Sequence, residues 1–286
     1  MIEYEGRRWL DVMFRMRGSV MPRLLPRALV GGAIGGVAAW GFAAHQVRVS
    51  PIAHTMIGVA LGLLLVFRTN ASYDRYWEGR RLLGAIVIRV RDLVRQARGW
   101  APDKTHGALR GRVRDLGCAY FRAVSQALRS EDDDGTLAAL LPEDAKAAVL
   151  ASKARPQAIT AELTRTLDVL RREAGLSDAQ LLAMDQNLTA MTDALAGCER
   201  ILRTPVPFAY AQHIKIFVVL FCYTAPFAMA EAMGWYTPVA ATLLCLALFG
   251  IDEIGVEIED PFGRDPNDLP LDTMAEGLEK VTLAVV

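Results

Sequence analysis

Four stretches of the chain carry no Asp, Glu, Lys or Arg: residues 28–47, 49–67, 216–230 and 232–251. Each is close to the roughly 20 residues a helix needs to cross a bilayer at 1.5 Å per residue. A core helix of a water-soluble bundle carries a polar stripe on its outer face, and these windows have none. The pattern therefore predicts four transmembrane helices at about 28–47, 49–67, 216–233 and 236–251. Pro226 punctuates the third, which is the least regular of the four. A predominantly polar, helix-forming region of about 68–215 separates the two pairs, and residues 252–286 follow the last.

Within that middle region, Ser177-Asp-Ala-Gln180 fits a capping box. Leu181, Met184, Leu188, Met191, Leu195, Cys198 and Leu202 then recur at alternating spacings of three and four, a heptad seam. The seam suits a sister helix in the same chain or one in a neighbouring subunit. Residues 82–130 read as helical with a break at Pro102. The acidic run Glu131–Asp134 reads as a solvated turn, because no regular ligand pattern follows it. Pro22 and Pro26 interrupt an amphipathic approach over residues 1–27. Gly31, Gly32, Gly35 and Gly36 in the first span have the small-residue spacing that lets membrane helices approach closely.

Charge placement sets the topology. Arg7, Arg8, Arg15, Arg17, Arg23 and Arg27 precede the first span, and the middle region is also rich in Arg and Lys. The link between the first two spans has only Arg48, and the link around Gly234–Thr237 has no basic residue. The positive-inside rule then places both termini and residues 68–215 in the cytoplasm, with Trp235 and Tyr236 in an interfacial aromatic belt at the other face. The expected location is a multi-pass position in the cell inner (plasma) membrane, and the Arg-rich, Ala-rich composition points to a bacterial source.

The 286 residues balance 32 basic against 32 acidic side chains, which gives no basis for a nucleic-acid partner. Cys118, Cys198, Cys222 and Cys245 have no CxxC or metal-ligand spacing and read as reduced structural thiols. His45, His54, His106 and His213 are scattered. Glu253 and Glu257 stand one turn apart beyond the last span, but the Glu-x-x-His pairs of a di-metal bundle are absent. No phosphate loop or nucleophile elbow is present, so neither an enzyme nor a cofactor is expected.

Two blocks carry a resemblance: Phe67-Arg-Thr-Asn-Ala-Ser-Tyr-Asp-Arg-Tyr-Trp-Glu-Gly-Arg-Arg-Leu-Leu-Gly84 and Ile258-Glu-Asp-Pro-Phe-Gly-Arg-Asp-Pro-Asn-Asp-Leu-Pro-Leu-Asp272. In residue type, order and position relative to the spans, they resemble the bestrophin family of pentameric ion channels, including its bacterial members. The resemblance implies an all-α integral membrane protein with four transmembrane helices and a cytoplasmic helical bundle, assembled as a homopentamer and forming one channel unit over residues 1–286. It implies passive conduction of small monovalent ions, chloride as in animal relatives or cations as in some bacterial ones. It also places Val59, Leu63 and Phe67 around an apolar pore neck, and Val206, in Thr204-Pro-Val-Pro207, around a cytoplasmic aperture. Asn70, Tyr73, Asp74, Arg75 and Trp77 belong to a motif that anchors the neck helix and joins subunits, with its arginines expected to meet Asp74, Glu78 or lipid headgroups.

Animal relatives bind calcium after Pro-Phe-Gly. Here that place reads Arg264-Asp-Pro-Asn-Asp268, so Asp265 and Asp268 remain as a degenerate clasp and no metal is expected. The residues alone leave two other readings open: a secondary transporter of anionic solutes, which calls for polar, broken helices at the midplane, and a membrane-anchored scaffold without conductance.

Overall fold

In the computed structural model, which describes residues 5–101 and 104–285, every regular element is helical. In chain order these are α1 (Trp9–Met13), α2 (Met21–His45), α3 (Pro51–Trp100), α4 (Gly107–Arg129), α5 (Asp134–Ala138), α6 (Glu143–Ala151), α7 (Arg155–Ala174), α8 (Asp178–Arg203), α9 (Phe208–Met233), α10 (Thr237–Glu257) and α11 (Leu271–Leu283). Three helical stretches are long and apolar enough to cross a membrane: Met21–His45, Pro51–Trp100 and Phe208–Glu257. The last is divided by a 3-10 turn at Gly234–Tyr236 into α9 and α10. The described residues form two compact units, one of residues 5–76, 205–260 and 264–268, the other of 77–101, 104–204, 261–263 and 269–285.

The first unit packs α2, α9, α10 and the first half of α3 around Leu24, Ala28, Leu61, Leu65, Ile214, Val218, Cys222, Cys245 and Phe249. Its tightest contact is the glycine stripe of α2 on α10. A Cβ at Gly31 would lie 2.2 Å from Cys245 Sγ, and one at Gly32 2.3 Å from Thr242 Oγ1. Small residues at this spacing allow such an approach where hydrophobicity drives no association between helices.

Both prolines expected to interrupt the approach lie within α2, which begins at Met21. Pro22 sits in the first turn, where backbone N–H groups have no intrahelical partner anyway. Pro226 likewise leaves α9 continuous from Phe208 to Met233. Proline has no N–H to bond the carbonyl four residues back, and that carbonyl, on Cys222, accepts instead from the Cys245 thiol of α10 at 3.8 Å. A neighbouring helix thus satisfies the group the proline releases, as the apolar environment of a span demands.

The second unit buries α4 on α7, with α8, α11 and the rest of α3 around them. The heptad seam settles inside the chain: Met184, Leu188, Met191, Leu195 and Cys198 are all buried, and Tyr120 of α4 donates its hydroxyl to the Met191 carbonyl at 3.0 Å. Ser177 and Gln180 form the expected capping box. Asp133 caps α5, while Asp132 and Asp134 pair with Arg155. All four cysteines are free and buried. Burial pushes the Cys118 thiol up to about 11 and that of Cys198 up to about 12.

The span at 49–67 does not end where its apolar stretch ends. Helix α3 continues through the polar motif to Trp100, and α4 starts at Gly107. The helical region expected over 82–130 comprises the end of α3 and all of α4, and the chain leaves helix between Trp100 and Gly107, around the expected break; Pro102 itself lies outside the described residues.

Candidate functional site

Helix α3 shows two opposed faces through its first unit. Leu61, Leu65, Arg68 and Ser72 recur at helical spacing and are each at most 2% exposed. On the other side, Val59, Leu63 and Phe67 also follow one another by single turns, yet they are 73%, 56% and 56% exposed. The helix is thus seated by one stripe and leaves a second, wholly apolar stripe uncovered by its own chain.

The buried stripe changes character at Arg68, immediately after Phe67. Its guanidinium reaches Asp252 Oδ1 through Nε at 3.2 Å and Glu259 Oε2 through Nη2 at 3.2 Å. Asp252 also receives Lys215 Nζ at 3.0 Å. A charge this buried is tolerable only when paired, so these carboxylates explain how Arg68 can sit inside. Next to them, Glu253 meets Arg23 and Arg27, and Glu257 meets Arg23 and the Asn267 side chain. The two glutamates that stand one turn apart are therefore held by arginines. At the opposite ends of these helices Arg48 pairs with Glu231 at 3.4 Å.

Two arginines of the motif reach acceptors beyond Asp74 and Glu78. Arg68 forms an ion pair with Asp252 and donates to Glu259, Arg75 donates to the Glu259 carbonyl at 3.1 Å, and Glu78 is met by Arg200. The Ser72 hydroxyl is buried without a hydrogen-bond partner. Asn70, Tyr73, Asp74 and Trp77 lie exposed on the single chain.

Val206 is half-buried in the turn between α8 and α9. Its N–H donates to Glu259 Oε1 at 3.0 Å. Pro205 and Pro207 on either side have no N–H, so this is the sole main-chain donor of the three residues. Sequence reasoning missed Asp252, Lys215 and Glu259. A signal for the first two was present: Lys215 and Asp252 bound charge-free windows, as Arg68 does, and an even number of spans brings those ends to one level.

The two sequence blocks meet in the structure. Tyr76 OH donates to the Asn267 carbonyl at 3.4 Å. Gly79 makes room for Phe262, since a Cβ there would lie 3.0 Å from the ring, and Phe262 is fully buried. Arg129 donates through Nε to the carbonyls of Phe262 and Gly263 and through Nη1 to Asp272 at 2.9 Å.

In the clasp, Asp268 is buried and its Oδ2 accepts the Asp265 N–H at 2.7 Å. Burial pushes the Asp268 carboxyl up to about 6; the Asp265 N–H opposes this, and the charges of Asp265, Asp260 and Glu257 add to it. Calcium needs six to eight oxygen ligands with substantial carboxylate charge. Asp268 is instead turned to the chain's own backbone, and no cluster of three or more acidic, His or Cys residues suited to a metal occurs among the described residues.

The family model described as Bacterial/Fungal Bestrophin protein matches residues 1–284. A voltage-dependent anion channel-forming protein of Ralstonia nicotianae is 38% identical over 279 residues, covering 95% of this chain and 90% of its own. A protein of the same description from Escherichia coli is 32% identical over 283 residues, covering 98% and 92%. Among solved structures, a bacterial bestrophin homologue from Klebsiella pneumoniae is similar with a TM-score of 0.84 and 30% identity, covering 93% of this chain and 98% of that one.

Proposed function

Because the chain belongs to the bacterial and fungal bestrophins, we propose that it is the subunit of a homopentameric ion channel in the bacterial inner membrane, with residues 1–286 acting as one channel unit. Four spans cross the bilayer, both termini are cytoplasmic, and small monovalent ions pass passively along the central axis. Relatives are named as anion channel-forming proteins, and we carry anion conduction to this chain on that ground.

The observation that carries the reading is the uncovered apolar stripe of α3, with Val59, Leu63 and Phe67 exposed opposite a face buried by Leu61 and Leu65. Several copies of such a stripe turned to one axis make a narrow apolar tube, and such a tube gates by dewetting. Val206 rings the cytoplasmic exit. The motif residues Asn70, Tyr73, Asp74 and Trp77, exposed on one chain, meet neighbouring subunits, while Arg75 anchors α3 to Glu259. The clasp at Asp265 and Asp268 holds by its own hydrogen bonds, without metal.

The test is the current through purified protein in planar bilayers under a salt gradient. A steady current with the reversal potential of the anion is expected. Reversal at the cation potential overturns the anion assignment. Silence from both wild type and Leu63→Ala, in verified pentamers, overturns the channel.

A further inference from the structure

Helix α1 has no buried residue, and every position from 5 to 17 is exposed. The N–H groups of Arg8, Val12 and Phe14 bond the carbonyls of Glu5, Arg8 and Leu10, so helical turns extend over residues 5–14. On such turns the side chains divide by face. Arg8, Asp11 and Arg15 follow one another at three and four residues on one side, with Arg7 beside Asp11. Trp9, Leu10, Met13 and Phe14 share the other side, and Trp9 and Phe14 are 76% and 71% exposed. Four arginines stand against two acids between residues 5 and 17. The pairs of Arg8 with Glu5 and Asp11, at 3.4 Å, are open to solvent and hold that arginine weakly.

We propose that residues 5–17 form an in-plane arm that binds anionic phospholipid, with Trp9, Leu10, Met13 and Phe14 set into the acyl boundary and Arg7, Arg8 and Arg15 among the headgroup phosphates. A leaflet offers an apolar layer beneath a negative one, the order in which the arm presents its two faces. The arm is also rooted at the right level. Asn267 Nδ2 donates to the Gly18 carbonyl at 3.0 Å and to Glu257 Oε1 at 3.0 Å. Met13 lies five residues from Gly18, no more than about 18 Å even along extended chain. Met21 opens α2, and about 10 Å of helix separates it from the charge-free window that begins at residue 28. The leaflet that α2 enters is thus the nearest apolar surface to α1. That it is the cytoplasmic leaflet rests on the topology proposed above; the binding of lipid does not.

The experiment uses the full-length protein with Leu10→Cys as reporter, in nanodiscs of phosphatidylcholine alone or mixed with phosphatidylglycerol. Both faces of a nanodisc are open to solvent, so the result does not depend on topology. The native cysteines are buried, and labelling by a charged methanethiosulfonate therefore reports position 10. Each arginine near an anionic surface is worth about fivefold in binding. With two arginines in excess, phosphatidylglycerol should slow labelling about tenfold or more. Replacing Arg7, Arg8 and Arg15 by Gln should abolish the difference between the two lipids, and replacing them by Lys should keep most of it, because the attraction is one of charge. A fluorophore attached at position 10 should be quenched by nitroxide-bearing acyl chains in the phosphatidylglycerol discs.

Equally fast labelling in the two lipids overturns the proposal. Equally slow labelling overturns it as well: with quenching, the arm inserts without regard to charge, and without quenching, a neighbouring copy of the chain covers the apolar face. If the Gln variant does not assemble, salt decides in its place. Raising it from about 0.1 to 1 M shortens the screening length from about 10 to 3 Å, and labelling in phosphatidylglycerol discs should speed up severalfold. A rate indifferent to salt overturns the role of the arginines. None of these readings needs a current. A protein that never conducts yet shows them would sink the channel reading and leave the lipid-binding arm standing.

Discussion

The backbone of Gly35 in α2 passes so close to Pro238 in α10 that a Cβ at position 35 would lie 2.9 Å from the Pro238 Cα and 3.0 Å from the Thr237 carbonyl oxygen. Those atoms are main chain and cannot rotate aside. At Gly31 and Gly32 the obstructing atoms are instead the side-chain Cys245 Sγ and Thr242 Oγ1, and at Gly36 the nearest atom is 4.0 Å away. Gly35→Ala should therefore destabilise most, by about 1–3 kcal/mol for overpacking a fitted contact. Gly36→Ala should be neutral or gain up to about 1 kcal/mol from helix propensity. Thermal melts of the detergent-solubilised variants give the ranking, and equal losses at 35 and 36 would contradict the helix contact.

Leu63 lies in the middle of the exposed stripe, 56% exposed, so shortening it removes little packing within the chain. If it rings the neck, Leu63→Ala widens and wets the narrowest apolar segment, and single-channel conductance rises with the melting temperature nearly unchanged. A conductance equal to wild type, in protein whose assembly is verified, shows that Leu63 does not limit the pore.

Arg68 serves two carboxylates from a buried position, whereas Lys215, the other partner of Asp252, is half exposed. Arg68→Met strips both Asp252 and Glu259 of a buried partner, and such breakage costs about 3–5 kcal/mol. Asp252→Asn leaves Arg68 its bond to Glu259 and Lys215 its contact with water, so its loss should be smaller. The double variant should lose less than the sum, because the Asp252 charge that Arg68→Met orphans is gone. Strictly additive melting shifts would mean the pair does not interact.

The positions of these helices were legible because charge is excluded from spans so sharply. Arg27, Arg68, Lys215 and Asp252 each mark the end of a charge-free window, and in the structure Arg68 and Lys215 meet at Asp252 while Arg27 joins the adjacent Glu253. The continuation of α3 was legible by another signal: hydropathy reports only where apolar character stops, but nothing in the polar motif forbids a helix, and the backbone stays helical to Trp100, two residues before Pro102 in the sequence. The prolines misled: Pro22 lies in the first turn of α2, where no intrahelical N–H is missed, Pro26 stays inside the same helix, and the carbonyl that Pro226 releases is met by Cys245, on another helix. The stripe of Val59, Leu63 and Phe67, proposed above as the neck, is singled out in the sequence only through resemblance, since any apolar span offers such stripes. Its partner on the buried side became visible once Leu61, Leu65 and Arg68 were seen to share one face.

Asp268 gives a pH dependence whose direction is fixed by its surroundings. Its carboxyl titrates at about 6 in the folded chain, above the value of about 3.9 expected for an unfolded Asp. The folded state therefore holds this proton more tightly. The stabilisation it contributes is complete below about pH 4 and is lost as the pH rises through about 6. Each pKa unit is worth about 1.4 kcal/mol, so the full swing is on the order of 3 kcal/mol. Melting temperatures should accordingly be higher at pH 5 than at pH 7.5 by the contribution of this group. Asp268→Asn fixes an uncharged side chain that still offers an oxygen to the Asp265 N–H, and it should remove that part of the difference while leaving the pH 5 value close to wild type. If wild type and Asp268→Asn show the same pH dependence, Asp268 is ionised in the clasp throughout, and its burial is compensated by groups other than those described.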